Sequence, residues 1–321
     1  MERTKLKPKL GISSCLLGSE VRYDGGHKHN AYVTKTLGPY FDFVPFCPEQ
    51  GIGLPTPRPP IRLVAEPGQL LIRAVEVRDA SVDYAADLDE YAKKVCNKLG
   101  GFSGYIVKKN SPSCGMERVK VYEKEDAPAV KRGVGMFTAR LMQERPELPL
   151  EEEGRLMDPR LRENFITRVF TMCRWQQMTT DGLTAQSLVE FHTRHKFLLQ
   201  AHHETSYREL GRLIAVVGNQ DLESCAAEYL QLLMRGLKHL SDPGKHANVL
   251  MHIMGFVKEK LNADEKAELL DLIEAHRQEL VPVIVPITLL NHFLRRFPND
   301  YIAQQYYLAP HPRELMLRNS I

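Results

Sequence analysis

Between Pro146 and Asp158 the chain changes texture, and that change restricts the fold more than any other feature. Before it, short apolar and β-branched runs alternate with stretches of amphipathic helical spacing. After it, the pattern is helical throughout. Strands alternating with helices build a layered α/β domain, whereas an unbroken series of helices packs helix on helix. The expected architecture is an α/β N-terminal domain over residues 1–154, with an open, mostly parallel sheet and flanking helices. An all-α C-terminal domain over residues 155–321 is expected to follow, a normal domain size. Residues 144–154 carry two prolines, an acidic run and a glycine, and read as a linker.

In the first part, residues 81–99 and 127–145 read as helices, the former stopped by Gly100-Gly101. Pro67-Gly68 followed by Leu70 to Val77 reads as an extra strand beside the main alternation. In the second part, helices are expected over 160–178, 185–203, 207–217, 222–240, 246–261, 263–280 and 286–296. Asn262-Ala-Asp-Glu is a helix start, and Asp242-Pro-Gly is a break.

Three cysteines follow directly on apolar runs that read as strands: Leu10 to Cys15, Phe43 to Cys47, and Tyr105 to Cys114. In an open parallel sheet the strand ends form the crevice where ligands bind, so cysteines far apart in sequence could meet there. Each sits in a turn-forming loop: Cys15-Leu-Leu-Gly18 leading to Val21-Arg-Tyr-Asp-Gly25, Cys47-Pro-Glu-Gln-Gly51 leading to Gly53-Leu-Pro-Thr-Pro-Arg58, and Ser111-Pro-Ser-Cys114-Gly115. Loops at strand ends commonly carry function. Cys96, Cys173 and Cys225 lie in helical stretches among apolar neighbours and read as core. Three thiolates could hold zinc with one open position, a four-iron cluster with one iron free, or form a redox pair with a spectator. Spacing does not choose among these.

Six cysteines in 321 residues are too few for a disulfide framework and fit a reducing compartment. No signal-peptide core follows the charged N-terminus. The longest apolar run, residues 280–290, is broken by Pro282 and Pro286 and is too short to span a bilayer. The expectation is a cytoplasmic protein with no membrane partner. The net charge of +3 does not by itself indicate nucleic acid; from Arg155 onward there are 20 Lys/Arg against 19 Asp/Glu.

Together, Cys15-Leu-Leu-Gly, Arg22-Tyr-Asp-Gly, Cys47-Pro-Glu, Gly53-Leu-Pro-Thr-Pro-Arg and Ser111-Pro-Ser-Cys-Gly resemble the segments of the thiouracil desulfidase family. The resemblance implies a 4Fe–4S cluster on Cys15, Cys47 and Cys114, whose fourth iron binds the sulfur of a thiolated pyrimidine. It also favours Glu49 as the group that activates water and Ser111 over Ser113 as a catalytic hydroxyl. Read from the residues alone, Glu49 could instead cap a turn or pair with Arg58, and Ser111 could be a Ser-Pro turn. Asp24, Arg58, Lys108 and Ser113 are further candidates for substrate binding, with Lys109 beside them.

Phe191-His-Thr-Arg-His-Lys196, Ala201-His202, Tyr207, Leu210-Gly211, His246, Asn248 and Gln305-Tyr-Tyr-Leu-Ala-Pro310 are similar to a helical domain often fused to that family. The fused chains resemble tRNA 4-thiouridine desulfidases. RNA binding is then expected from His192, Arg194, His195, Lys196 and His202, some of which share a helix face. The bland alternative is a polar helix face packed inside the fold. Trp175 could stack on a base or belong to the core. The expected substrate is 4-thiouridine in tRNA, or a small free thiopyrimidine. An iron- or oxygen-sensing protein would keep the cysteines but need neither Glu49 nor Ser111. Sulfur insertion would need ATP, and no GxxxxGK[ST] loop is present.

Overall fold

The computed structural model describes residues 6–65, 72–123 and 128–321. The chain divides into two compact units, residues 1–157 and 158–321.

The first unit opens with β1 (Lys9–Ser13), followed by β2 (Asp42–Phe46) and a short helix, α1 (Pro48–Gly51). Next come β3 (Ile61–Ala65), β4 (Ile72–Glu76), α2 (Ala85–Cys96) and β5 (Gly104–Val107). Then follow β6 (Val119–Tyr122), β7 (Val130–Gly133), α3 (Met136–Glu144) and β8 (Leu150–Glu152). The main sheet has the order β2-β1-β5-β8, and every pairing in it is parallel. Gly11 pairs with Val44 on one side and Tyr105 on the other. It has to be glycine, because a Cβ there would sit 2.3 Å from the Tyr105 ring that packs across it. All of β5 is buried, as expected of a central parallel strand.

A second sheet, in the order β4-β3-β6-β7, is mixed. Strands β3 and β6 are parallel, while β4 and β7 pair antiparallel at its two edges. The extra strand expected beside the alternation is β4 from Ile72 onward; residues 67–71 of that reading lie outside the described residues. The helix expected over 127–145 is corrected. Residues 130–133 form β7, and the helix begins only at Met136. Gly133 lies close against β6, where a Cβ would meet Val121 at 2.6 Å, and Gly135 caps α3. Two glycines at this spacing break a helical period.

The stretch expected to be a linker is also corrected, because it contains β8. Leu148 and Leu150 are buried, and β8 extends the main sheet beside β5. Its acidic run is built into the sheet edge rather than solvated.

The second unit is helical: α4 (Pro159–Gly182), α5 (Ala185–His202), α6 (Glu204–Ala215), α7 (Leu222–Leu237), α8 (Pro243–Met254), α9 (Ala263–Arg277), α10 (Ile284–Arg296) and the short α11 (Asp300–Ala303). The starts are capped. Asp158, Asp221 and Asp242 accept first-turn N–H groups, and Thr184/Ser187 and Asn262/Glu265 form capping boxes. Trp175 stacks on Tyr229 at 5.6 Å and meets Phe191 edge-on, so it belongs to the core. Among the described residues no helix is long and apolar enough to cross a membrane.

Candidate active site

Strands β1, β2 and β5 are parallel neighbours, so their C-terminal ends share one edge of the sheet. Each of the three cysteines lies beyond one of those ends. Cys15 sits in a 3₁₀ turn over Ser14–Leu17, Cys47 is the N-cap of α1, and Cys114 lies in the loop after β5. All three line one cavity of about 290 Å³, at the lower end of the range for small-ligand sites.

The Cys114 loop is held by the start of α3. Met136 N–H donates to Pro112 O at 3.0 Å, Phe137 N–H to Ser113 O at 3.1 Å, and Thr138 Oγ1 to Cys114 O at 2.7 Å. The two N–H groups are first-turn donors that have no partner inside the helix. Gly135 permits the approach, since a Cβ there would lie 2.5 Å from the Ser113 carbonyl carbon. Gly135→Ala is expected to displace this loop and lower the melting temperature by several degrees, the scale of about 1–3 kcal/mol for overpacking. A thermal scan of variant against parent checks it.

Carboxylates at the end of β8 and just after it hold the same loop from the other side. Glu152 Oε1 accepts Met116 N–H at 2.8 Å, and Glu153 Oε2 accepts Lys109 N–H at 2.7 Å. Glu153 Oε1 also pairs with Lys108 Nζ. Burial raises the Glu152 carboxyl above its ordinary value. These carboxylates were not candidates from sequence; an acidic run next to prolines carries no signal of burial.

Burial pushes the Cys15 thiol up to about 11, with Lys108 pulling the other way and Cys47 adding to the rise. Burial also raises Cys47 and Cys114, each made worse by the Glu49 carboxylate, while Ser13 partly counters it at Cys114. Two buried thiols and a half-buried one, each raised by desolvation, call for a positive partner, and a soft donor set of this kind suits iron or zinc. As placed, no group of three or more His, Cys, Asp or Glu side chains among the described residues is gathered closely enough to hold a metal ion.

Glu49 lines the cavity and is held at both oxygens. Arg58 Nε donates to Oε2 at 2.8 Å, and Ser113 Oγ donates to Oε1 at 2.8 Å. The Arg58 pairing is therefore present, but it does not remove Glu49 from the cavity. Ser111 also lines the cavity. Its Oγ accepts N–H bonds from Ser113 at 3.2 Å and Cys114 at 3.1 Å, which leaves its own O–H to donate. Lys108 lines the cavity as expected. Two candidates for substrate binding are placed elsewhere. Asp24 is an exposed turn residue accepting Gly26 N–H at 3.1 Å, and Ser113 is 0% exposed. Neither lines the cavity. Arg22, Tyr23, Lys28 and Lys109 do.

In the helical unit the expected RNA-binding cluster divides. His195 and His202 are each 1% exposed. His195 is stacked on Phe191 and lies against Tyr306, and its Nδ1 bonds Phe191 O; His202 Nδ1 bonds His239 O. The face expected for RNA is thus partly core, because the α5 stripe carrying both histidines is the one packed inward. His192 is half-buried and bonds Tyr229 OH at 3.2 Å. Arg194 pairs with Glu190 at 3.8 Å, and Lys196 lies over Tyr301.

Burial pushes His195, His202 and His246 below the ordinary histidine value. Below about pH 6.5 the unfolded chain therefore binds protons that the folded chain refuses. Stability is expected to fall with acidification, by about 1.4 kcal/mol per histidine one pH unit below its unfolded value. Urea midpoints at pH 7.5 and 5.5 measure it, and an equal midpoint at the two would contradict the buried neutral state.

The fold and the site define a class: a parallel α/β unit with a thiol-lined cavity at the carboxyl edge of its sheet. Residues 10–153 match the family model described as 2-thiouracil desulfurase, and residues 196–312 match a family of unknown function, DUF1722. The chain belongs to the 2-thiouracil desulfurase family. It is 32% identical to the uncharacterized protein YbbK of Bacillus subtilis (strain 168) over 113 residues, 32% of this chain and 71% of that one. It is 29% identical to the uncharacterized protein YbgA of Escherichia coli (strain K12) over 162 residues, 50% of this chain and 96% of that one. A solved structure titled [4Fe-4S]-dependent thiouracil desulfidase TudS is 30% identical and covers 47% of this chain and 95% of its own, with a TM-score of 0.37.

Proposed function

We propose that the chain is an iron–sulfur-dependent desulfidase that converts 4-thiouridine in tRNA to uridine without net redox change. The observation carrying this reading is that Cys15, Cys47, Cys114, Glu49 and Ser111 line a single cavity. Cys15, Cys47 and Cys114 would hold a 4Fe–4S cluster. When bound, it supplies an open iron that acts as a Lewis acid toward the thiocarbonyl sulfur. Glu49 Oε1 takes a proton from the water that attacks the C=S carbon. Ser111 donates its O–H to the reacting water or to the pyrimidine edge. The C–S bond breaks, the second water proton passes to the sulfur, which departs as hydrosulfide, and the water oxygen stays on the ring as the carbonyl. A sensing role would leave Glu49 and Ser111 in the cavity without a task.

The cavity rim favours a nucleotide substrate over a free base. Lys28 and Lys109 line it, and among the described residues neither forms a close ion pair with a carboxylate, although Asp24 lies within electrostatic reach of Lys28. Lys108 and Arg58, by contrast, are paired with Glu153 and Glu49. Unpaired cations near a small cavity position phosphates. Family membership and the modest cavity volume favour the second reading, a free thiopyrimidine.

The two are separated by measuring sulfide released by anaerobically reconstituted protein from 4-thiouridine-containing tRNA and from 2-thiouracil. Lys28→Glu with Lys109→Glu is expected to raise KM for tRNA by roughly tenfold or more, as two phosphate contacts imply, and to leave 2-thiouracil turnover unchanged. Turnover of 2-thiouracil alone would sink the tRNA assignment.

A further inference from the structure

The loops that carry the three cysteines are joined by one unbroken chain of polar contacts. Val21 follows Cys15, Glu49 follows Cys47, and Ser113 precedes Cys114. Arg58 Nη2 donates to Val21 O at 2.8 Å and meets Glu49 Oε2 at 2.6 Å. Ser113 Oγ closes the chain on Glu49 Oε1 at 2.8 Å. Cys47 Sγ approaches the same Val21 carbonyl at 3.9 Å.

The donor count at Arg58 is informative. A guanidinium has five N–H groups. Nε points at Glu49, Nη1 at Pro55 O and Thr56 Oγ1, and Nη2 at Val21 O and Glu49. Four hydrogen bonds are made inside the fold, and Nη2 also lies against Glu49 Oε2 as an ion pair, so the guanidinium is committed to the loops around it. Ser113 is fully buried with its hydroxyl committed to Glu49. Neither residue is free to serve as a substrate contact.

We propose that the relay Val21–Arg58–Glu49–Ser113 is a clamp that holds the Cys15, Cys47 and Cys114 loops at the separation their metal group requires. Arg58 and Ser113 are thus positioning residues. This rests on the reading of the three cysteines as cluster ligands. The loops around them are rich in glycine and proline, and the parallel strands fix only where each loop begins. Arg58 ties the Cys15 loop to the Cys47 loop, and Ser113 ties the Cys47 loop to the Cys114 loop. Glu49 is the shared node, so a single carboxylate both faces the cavity and sets its shape. Charge-assisted bonds of this type are among the stronger polar contacts, and the Arg fork is specific in direction.

The test uses the full chain with Ser113→Ala and Arg58→Lys, the latter keeping the charge and losing the fork. Two quantities are read: the rate at which a chelator strips iron from the reconstituted protein, and backbone hydrogen exchange of the metal-free protein. Iron loss is expected to speed up roughly tenfold in each variant, the scale of one hydrogen bond to a charged group. Exchange is expected to rise around Val21 and Glu49 in Arg58→Lys, and around Glu49 and Cys114 in Ser113→Ala, including positions far in sequence from the change. Exchange confined to the altered residue, with wild-type iron loss, would overturn the clamp. Should wild-type protein take up no iron, the cluster reading fails while exchange in the metal-free chain still decides the clamp.

Discussion

Cys114→Ala is expected to remove desulfuration down to background and to strip the chain of most of its iron. Cys114 is buried in the loop between β5 and β6, and its carbonyl and its neighbours are fixed by α3 and β8. The loop cannot swing another donor into the gap. With two thiols left, a cluster lacks a ligand it cannot replace from Ser113, whose hydroxyl is held by Glu49. The measurement is 4-thiouridine in tRNA from cells expressing either chain at equal level, with iron determined on the purified proteins. The thionucleoside should disappear with the parent and persist with the variant. Cys225→Ala is the control: that thiol is buried in the helical unit, and its loss costs roughly 1 kcal/mol of packing with no effect on iron. Iron content equal in parent and Cys114→Ala would remove Cys114 from the site, whatever the activity.

What sequence could show about this site follows from how each part is encoded. The cysteines were visible because parallel strands bring their carboxyl ends together, so three strand-end positions imply one edge in space. The helices of the second unit were visible because their period and caps are local. Residues 144–154 misled because charge and proline mark loops only on average. Here Leu148 and Leu150 are buried, and Glu152 and Glu153 find backbone N–H partners from the Cys114 loop. Such partners are distant in sequence and leave no local trace. β7 was lost for a related reason: four residues pairing with β6 are too short to set a period. The histidines of α5 illustrate the opposite error. His192, His195 and His202 look like a polar face, but two of them are buried, each bonded through Nδ1 to a backbone carbonyl that periodicity does not reveal. The roles of Ser111 and Ser113 likewise separate only in three dimensions, one hydroxyl facing the cavity and the other facing Glu49.

Glu49→Gln is expected to lower kcat for thiopyrimidine desulfuration by about 10²–10⁴, the range for loss of a general base, with KM changed little. Glutamine preserves the length of the side chain and an oxygen that accepts from Ser113 or Arg58, so the cavity keeps its outline. What disappears is the charge and the capacity to take a proton from water. Arg58 is 7% exposed and its charge then has no carboxylate partner, though Val21 O, Pro55 O and Thr56 Oγ1 still satisfy much of the fork. A stability loss of about 1–3 kcal/mol should accompany the substitution, readable as a few degrees in the melting temperature. Ser111→Ala provides the comparison. That hydroxyl supports the Cys114 turn by accepting two N–H bonds, so its loss affects both the loop and the donor facing the cavity. Iron content distinguishes the two effects: near-parental iron with slow turnover in Glu49→Gln identifies a group acting on the reacting water. Low iron with proportionally low turnover would make Glu49 only the node of the clamp and transfer the proton-accepting role elsewhere in the cavity.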